Sequence, residues 1–274
     1  MTINWLVWLS TDETDQAAEP PPSTPQWSAI VCQAERHQLA PLLYQRVRAL
    51  HLEASLPPPL LHHLRQVYAA HLKTSSAQQH ELAQALCVLS AAGLRQLVPF
   101  KGAVLAHTLY PTVACRPMTD LDLWIAADEM AQAQSALEKC GYVQRVKAAR
   151  PLTMQAQNYG EIQLHGTQPE QSLIELHWGV FPGEWLRRTA QVDQAGVWQR
   201  CTELTLLGHT VLSLSPEDQL LQLAVHQAVS HQMSAPHARG LVDVVRLARQ
   251  HPLDWDAIID RAKAWQVSTA VWLV

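Results

Sequence analysis

The sequence predicts an α+β fold in which a small mixed β-sheet lies between two α-helical regions. Three observations predict it: helical spacing of apolar residues up to about residue 94, strand-like alternation in the middle third, and helical spacing again near the end. We therefore divide the chain into a lead-in with a proline-rich linker (1–25), an N-terminal helical region (26–94), an α/β core (95–214) and a C-terminal helical region (215–274). The apolar ending STAVWLV is typical of a helix cut within its length, so we expect the native chain to be longer.

Two proline-rich stretches, AAEPPPSTP and SLPPPLL, separate the first helices. Proline removes a backbone donor and fixes φ, so helices end where it clusters. Apolar residues follow a helical stripe from Trp27 to Leu50, over two short helices, and again from Leu60 to Ala92, where Gly93 is placed to cap the end.

The middle third changes to a period of two, which is typical of strands. We expect four to five strands, in the segments RQLVPFKG, DLDLWIA, YVQRV, GEIQLHG and SLIELHWGV. Two helices interrupt them, in AVLAHTLY and in DEMAQAQSALEKCGY, whose acidic first turn and following glycine are helix start and stop signals. The result is a mixed α/β core.

The last third returns to helices. The first one begins with a strong signal, because Ser215 can cap its N-terminus and Pro216 occupies its first position. Two further amphipathic helices follow, in ARGLVDVVRLARQ and DWDAIIDRAKAWQ. His226 and His231 are five residues apart, a spacing that does not stack side chains on one face of an α-helix, so we expect no zinc site there.

The composition excludes several classes of protein. With 274 residues, 48% of them hydrophobic, the chain can bury a sizeable core, and its formal net charge of −4 disfavours a long nucleic acid as partner. No apolar run approaches the roughly 20 residues that span a bilayer, so we expect no membrane partner. The five cysteines contain no CxxC pair, which argues against a disulfide framework and favours a cytoplasmic location.

The most informative segment is RPMTDLDLWI, residues 116–125. Alternate residues of a strand point to the same side, so Asp120 and Asp122 present two carboxylates to one region, about 6.6 Å apart along the chain. Two such acids repel each other unless a cation lies between them, and magnesium prefers oxygen ligands of this kind. Taken alone, the pair could equally lie on the solvated face of an edge strand.

Two neighbouring features favour the metal site. A predicted strand that ends in Lys101 and Gly102 and leads into a helix suits phosphate, because glycine lets backbone N–H groups approach the oxygens. In the strand LIELHW, Glu175 and His177 project together away from the apolar residues. Three acids on neighbouring strands predict a divalent metal centre.

These segments together resemble a known family. The order Lys-Gly, LYP, RPMTDLDLWI, a helix ending in CGY, then IELHW, HQAVSH and GLVDVVRL is similar to the uncharacterised nucleotidyltransferase family of the DNA polymerase β superfamily, over about residues 27–274. The resemblance implies a nucleotidyltransferase core between helical regions, two Mg²⁺ ions with Mn²⁺ as an alternative, and a nucleoside triphosphate substrate. It implies transfer of a nucleoside monophosphate group to a hydroxyl of a small molecule or protein.

The resemblance also assigns residues. Asp120 and Asp122 match the paired metal ligands, Glu175 matches the third acid that helps to deprotonate the acceptor, and Gly102 matches the loop that faces the triphosphate. Ala103 departs from the family pattern, because serine or glycine usually follows this glycine. The departure keeps a second function open, namely an inactive nucleotide-binding or partner-binding protein on the same fold.

Several further candidates carry two interpretations. Lys101 supplies charge to the phosphates or is a solvated strand end, and Arg116 binds a phosphate or the paired acids or forms a structural salt bridge. His177 positions an acceptor or bonds across the hairpin, and Trp124 lines a base or acceptor pocket or belongs to the core. Asp243 either reaches the cleft or has a structural role, as a cap or as the partner of Arg239 or Arg246. The structural role is slightly favoured.

Overall fold

The computed structural model describes residue 8 and residues 24–145, 160–168, 171–234 and 237–274. The predicted proline-rich linker falls mostly outside the described residues. The described elements comprise the predicted mixed sheet with helices before and after it in the chain, and the α+β fold class is confirmed.

Among the described residues, three α-helices precede the sheet: α1 (Thr24–Arg36), α2 (Ala40–Ala49) and α3 (Pro58–Ala91). Helix α3 is 34 residues long and begins on two prolines, whose missing N–H groups cost nothing in the first turn. It ends as predicted, since Gly93 has a φ of +87° and lets Leu94 donate its N–H back to the Leu89 carbonyl.

The main sheet has five strands in the spatial order β1-β2-β5-β4-β3. Their bounds are Leu97–Pro99 (β1), Asp120–Ile125 (β2), Tyr142–Arg145 (β3), Glu161–Gly166 (β4) and Leu173–His177 (β5). Strands β2 and β5 run parallel, and the other neighbouring strands run antiparallel. The parallel register sets Asp122 directly beside Glu175.

The period of two along β2 sorts its side chains between two apolar clusters. Leu121, Leu123 and Ile125 are fully buried in a cluster that contains leucines of α3. Trp124 points the other way, into a second cluster formed with the N-terminal and C-terminal helices. Strand β2 is paired with β1 on one side and with β5 on the other, so it is a central strand, and both of its faces are packed. This arrangement excludes the solvated edge-strand interpretation of its two acids.

In this middle part the described residues form four shorter α-helices: α4 (Gly102–Thr108), α5 (Met130–Glu138), α6 (Glu184–Thr189) and α7 (Gln194–Arg200). A hairpin of β6 (Thr202–Leu206) and β7 (His209–Ser213) follows them and was not predicted. Its two-residue turn uses positive φ values at Leu207 and Gly208, as tight hairpins require.

The C-terminal helices are α8 (Pro216–Val225), α9 (His237–Gln250), α10 (Trp255–Ala264) and α11 (Ser268–Trp272). The predicted start of α8 is confirmed, because the Ser215 side chain accepts a hydrogen bond from the Asp218 N–H at 3.2 Å. At its other end α8 continues into a π-helical turn, His226–Ser230. Among the described residues, no helix is both long and apolar enough to cross a membrane.

Candidate active site

The predicted acids meet at the wall of a cavity of about 270 Å³. Asp122 and Glu175 are neighbours across the parallel strands and are 2% and 6% exposed, while Asp120 is half-buried one pleat away. Both aspartates and the glutamate line the cavity. The sheet therefore brings the three sequence-predicted acids together.

Lys101 is a buried partner of this acid group. Its Nζ donates to Asp122 Oδ1 at 2.7 Å, and the residue holds a φ of +53° just before α4, a conformation that is costly without glycine. Burial alone would lower the pKa of the ammonium, but Asp122 and Glu175 outweigh burial and raise it. Lys101 is thus a charged member of the site, and the solvated strand end is excluded.

His177 lies behind the acids and not in the cavity lining. Its Nε2 is 2.8 Å from Asp122 Oδ1 and 3.6 Å from Glu175 Oε2, and its Nδ1 is 3.3 Å from Oε2 of Glu161 on β4. The ring is fully buried with its edge against Phe100. This geometry supports hydrogen bonding between strands over a direct contact with an acceptor, and it adds Glu161, which sequence reasoning missed.

The pKa values of the paired aspartates shift in opposite directions. The pKa of Asp120 is raised to about 6, first by burial and then by repulsion from Asp122 and Glu175. Burial would also raise the pKa of Asp122, but the Lys101 ammonium and the hydrogen bond from His177 more than offset it, and the pKa falls below its ordinary value. The site holds Asp122 ionised and leaves excess negative charge around Asp120.

Arg116 and Asp243 form one buried unit. Arg116 Nε donates to both oxygens of Asp243, at 2.8 and 3.0 Å, and Nη2 lies 2.8 Å from Oδ2. Tyr110 donates its hydroxyl to the same carboxylate at 2.6 Å. The favoured pairing of Asp243 with Arg239 or Arg246 is therefore wrong. The helix docks so that Asp243 faces Arg116 in the core.

Arg246 instead donates to the Leu109 carbonyl at 2.9 Å, and Arg239 donates to the Pro117 carbonyl at 2.9 Å and to the Gln38 side chain. Arg116, Arg239 and Asp243 all line the cavity. Asp243 thus has a structural partner and also lines the cavity, and a role of this residue in binding stays a prediction.

Three other candidates have definite places. Gly102 lines the cavity, and a Cβ there would come within 2.7 Å of Met118 Cγ, so glycine is needed for this close packing. Ala103 is fully buried in the apolar core. Trp124 is 1% exposed and stacks on Trp198 at 3.6 Å between ring centroids, so its pocket role is replaced by the core interpretation.

The wall opposite the sheet comes from α8, the π-helical turn and α9. It includes His226, Gln227, Ser230, His231 and Arg239, of which the sequence analysis assigned none to the site. The two histidine rings meet edge to face, with 4.5 Å between centroids, because residues five apart fall on one side of a π-helix. The prediction that these two side chains lie on different faces is wrong, because it assumed an α-helix.

The donor set suits a divalent cation. Asp122, Glu175 and His177 each offer one ligand atom, and these atoms lie within 4.8 Å of one another. Carboxylate oxygens fit Mg²⁺, and an added imidazole nitrogen also fits Mn²⁺. The excess negative charge around Asp120 is a second reason for a cation at this wall. That Asp120 is itself a ligand stays a prediction.

Comparisons with known proteins found similar solved structures and one matching family model. One similar structure is an antigenic nucleotidyltransferase-like protein from Paracoccidioides brasiliensis, with 16% identity over 73% of this chain and 88% of that chain and a TM-score of 0.49. Another is the antibiotic-resistance factor ANT(2'')-Ia, with 14% identity over 73% and 96% of the two chains and a TM-score of 0.48. No curated protein sequence matches. Residues 23–274 match the family model described as uncharacterised nucleotidyltransferase, and the chain belongs to that family.

Proposed function

We propose that the protein is a metal-dependent nucleotidyltransferase that moves a nucleoside monophosphate group from a nucleoside triphosphate to an acceptor hydroxyl. The acceptor oxygen bonds to the α-phosphorus, the bond from that phosphorus to the bridging oxygen breaks, and pyrophosphate leaves. One observation carries the proposal. Asp122 and Glu175 lie side by side on parallel strands, with Asp120 beside them, at the wall of a cavity that Lys101 and Arg116 also line.

The protein's own residues have separate roles. When bound, Mg²⁺ or Mn²⁺ ions would neutralise the triphosphate and the charge that develops in the transition state. Asp120, Asp122 and Glu175 would hold them, and Glu175 would accept the proton of the acceptor hydroxyl. Lys101 and Arg116 add positive charge near the phosphates, which is the main requirement of phosphoryl transfer after positioning.

One observation favours the second candidate, an inactive nucleotide-binding or partner-binding protein. The oxygen Oδ1 of Asp122 already lies within hydrogen-bond distance of both Lys101 Nζ and His177 Nε2. A divalent ion that used this oxygen would displace at least one of them. If Lys101 keeps it, the protein binds nucleotide without turning it over.

The test measures pyrophosphate released from ATP, CTP, GTP and UTP with Mg²⁺ or Mn²⁺. A small-molecule extract and a protein extract are supplied in turn as acceptor sources, which separates the two acceptor classes. We expect release by the wild type, loss in the double variant Asp120→Ala, Asp122→Ala, and full activity in Asp128→Asn, which removes an exposed charge just after β2. Nucleotide binding without any difference in release between wild type and double variant would establish the inactive protein instead.

A cytoplasmic location is part of the proposal. All five cysteines are free thiols, and Cys32, Cys87 and Cys140 are exposed, which suits a reducing compartment. Localisation of a fluorescent fusion of the full chain would test it, and a signal confined to an oxidising compartment would contradict it.

A further inference from the structure

Gln227 is a buried amide that faces the cavity without an internal partner. It is 4% exposed, lines the cavity from the π-helical turn, and its Nε2 has no hydrogen-bond partner among the described residues. Leaving a buried donor unpaired is destabilising, because the desolvation of the group is not compensated. A native structure therefore needs a reason to keep this group.

Two backbone features place the Gln227 amide where it is. The π-helical turn inserts an extra residue after α8, a feature that is rare and frequent at functional sites. In α9, a Cβ on Gly240 would lie 2.1 Å from Gln227 Oε1, so only glycine leaves room for the amide. Glycine inside a helix is destabilising relative to alanine. Three unfavourable features thus converge on one side chain of the cavity wall.

Two imidazole rings lie beside Gln227 in the cavity wall. The pKa of His226 and that of His231 are lowered by burial and by nearby positive charge, so both rings are neutral at neutral pH. Ser230 adds a hydroxyl to the same wall. The acids and Lys101 come from the sheet side. The helical side offers hydrogen bonds and flat rings, beside two charged residues of α9, Arg239 and Asp243, of which Asp243 is paired with Arg116. Flat rings with neighbouring hydrogen-bonding groups suit a heterocycle better than a phosphate.

We propose that Gln227 donates a hydrogen bond from Nε2 to a ring nitrogen or carbonyl oxygen of the nucleobase, and so sets which of the four nucleoside triphosphates binds best. The proposal rests on the proposed function, because it assumes that a nucleoside triphosphate occupies the cavity. An acceptor molecule could offer the same hydrogen-bonding atoms. The neutral rings of His226 and His231 favour the base.

The experiment is isothermal titration of ATP, CTP, GTP and UTP, each with Mg²⁺ and without any acceptor. The variant is Gln227→Met, which keeps the length of the side chain and removes the donor. The matched control is Gln222→Met, because Gln222 lies on α8, is 1% exposed and also has an unpartnered Nε2, but does not line the cavity. We expect the wild type to prefer one base, Gln227→Met to lose roughly two- to tenfold in affinity for that base alone, and Gln222→Met to keep the preference.

Each outcome is decisive. A wild type that binds none of the four overturns both this inference and the proposed function. Binding with equal affinity for all four, or a Gln227→Met protein whose affinity for the preferred base relative to the other three is unchanged, overturns the inference alone. So does a Gln227→Met protein with unchanged nucleotide affinities and a raised KM for the acceptor in the pyrophosphate assay.

Should Gln227→Met fail to fold, analogues of the preferred nucleotide test the same bond on the wild type. Each analogue lacks one ring-nitrogen or carbonyl acceptor of the base, as deaza compounds do. One of them must bind roughly two- to tenfold more weakly than its parent. Equal binding of the whole series would overturn the inference.

Discussion

Removal of the Asp243 carboxylate is expected to destabilise the protein strongly. The side chain is 1% exposed and neutralises the Arg116 guanidinium, itself 8% exposed, through contacts of 2.8 to 3.0 Å. It also accepts the hydroxyl of Tyr110. Asp243→Ala would leave a buried cation and a buried hydroxyl without this acceptor.

The expected loss in the free energy of unfolding follows from these contacts. Removing one partner of a buried ion pair costs about 3–5 kcal/mol, and Tyr110→Phe, which removes only the hydrogen bond to the carboxylate, costs about 1.5–3 kcal/mol. The double variant Arg116→Met, Asp243→Leu replaces the pair with apolar groups and should be more stable than Asp243→Ala, since no charge remains buried. A cavity from the smaller side chain adds to the cost of alanine.

Urea unfolding, followed by tryptophan fluorescence and by circular dichroism, measures these differences. Asp256→Ala is the matched control, because it removes an exposed aspartate from α10 and should change stability by less than about 0.5 kcal/mol. A cost below about 1 kcal/mol for Asp243→Ala would show that Arg116 is solvated in solution. A double variant that is less stable than the single one would refute the assignment of the cost to an unpaired charge.

Three further predictions concern packing. Gly102→Ala should lower the free energy of unfolding by about 1–3 kcal/mol because its methyl group meets Met118, and adding Met118→Ala should remove most of that penalty. Thermal unfolding of the wild type, the two single variants and the double variant checks this prediction. Ser215→Ala should cost about 1 kcal/mol through loss of the N-cap of α8, and an unchanged urea midpoint would contradict it. Gly240→Ala should destabilise the wild type, but should stabilise a Gln227→Ala background by up to about 1 kcal/mol; the same sign in both backgrounds would refute the steric argument.

The sheet side of the site could be predicted because it depends on local periodicity. A period of two places Asp120 and Asp122 on one side, and the same rule sets Glu175 and His177 apart from the apolar residues of their strand. Glu161 could not be found this way, because its contact with His177 depends on the pairing of β4 with β5. No local pattern in the sequence specifies that register.

The helical side was missed for a different physical reason. An α-helical period was assumed for residues 216–231, whereas the chain adopts a π-helical turn that rotates every following side chain. The rotation brings His226 and His231 together and directs Gln227 into the cavity. The hairpin of β6 and β7 was also missed, although its Leu-Gly turn between two alternating segments was a usable signal.

The core segment 95–214 cannot form the cavity alone, because two charged side chains of the cavity wall depend on residues outside that segment. Arg116 comes from the segment 95–214 but is neutralised by Asp243 of a C-terminal helix. Arg239, from the same helix, is bound by Gln38, which follows the first N-terminal helix. The cavity is therefore lined by the predicted core and the C-terminal helical region, and the N-terminal helical region contacts one of the lining residues through Gln38. A fragment limited to the core would expose Arg116 without its counter-ion and would lack the wall opposite the acids.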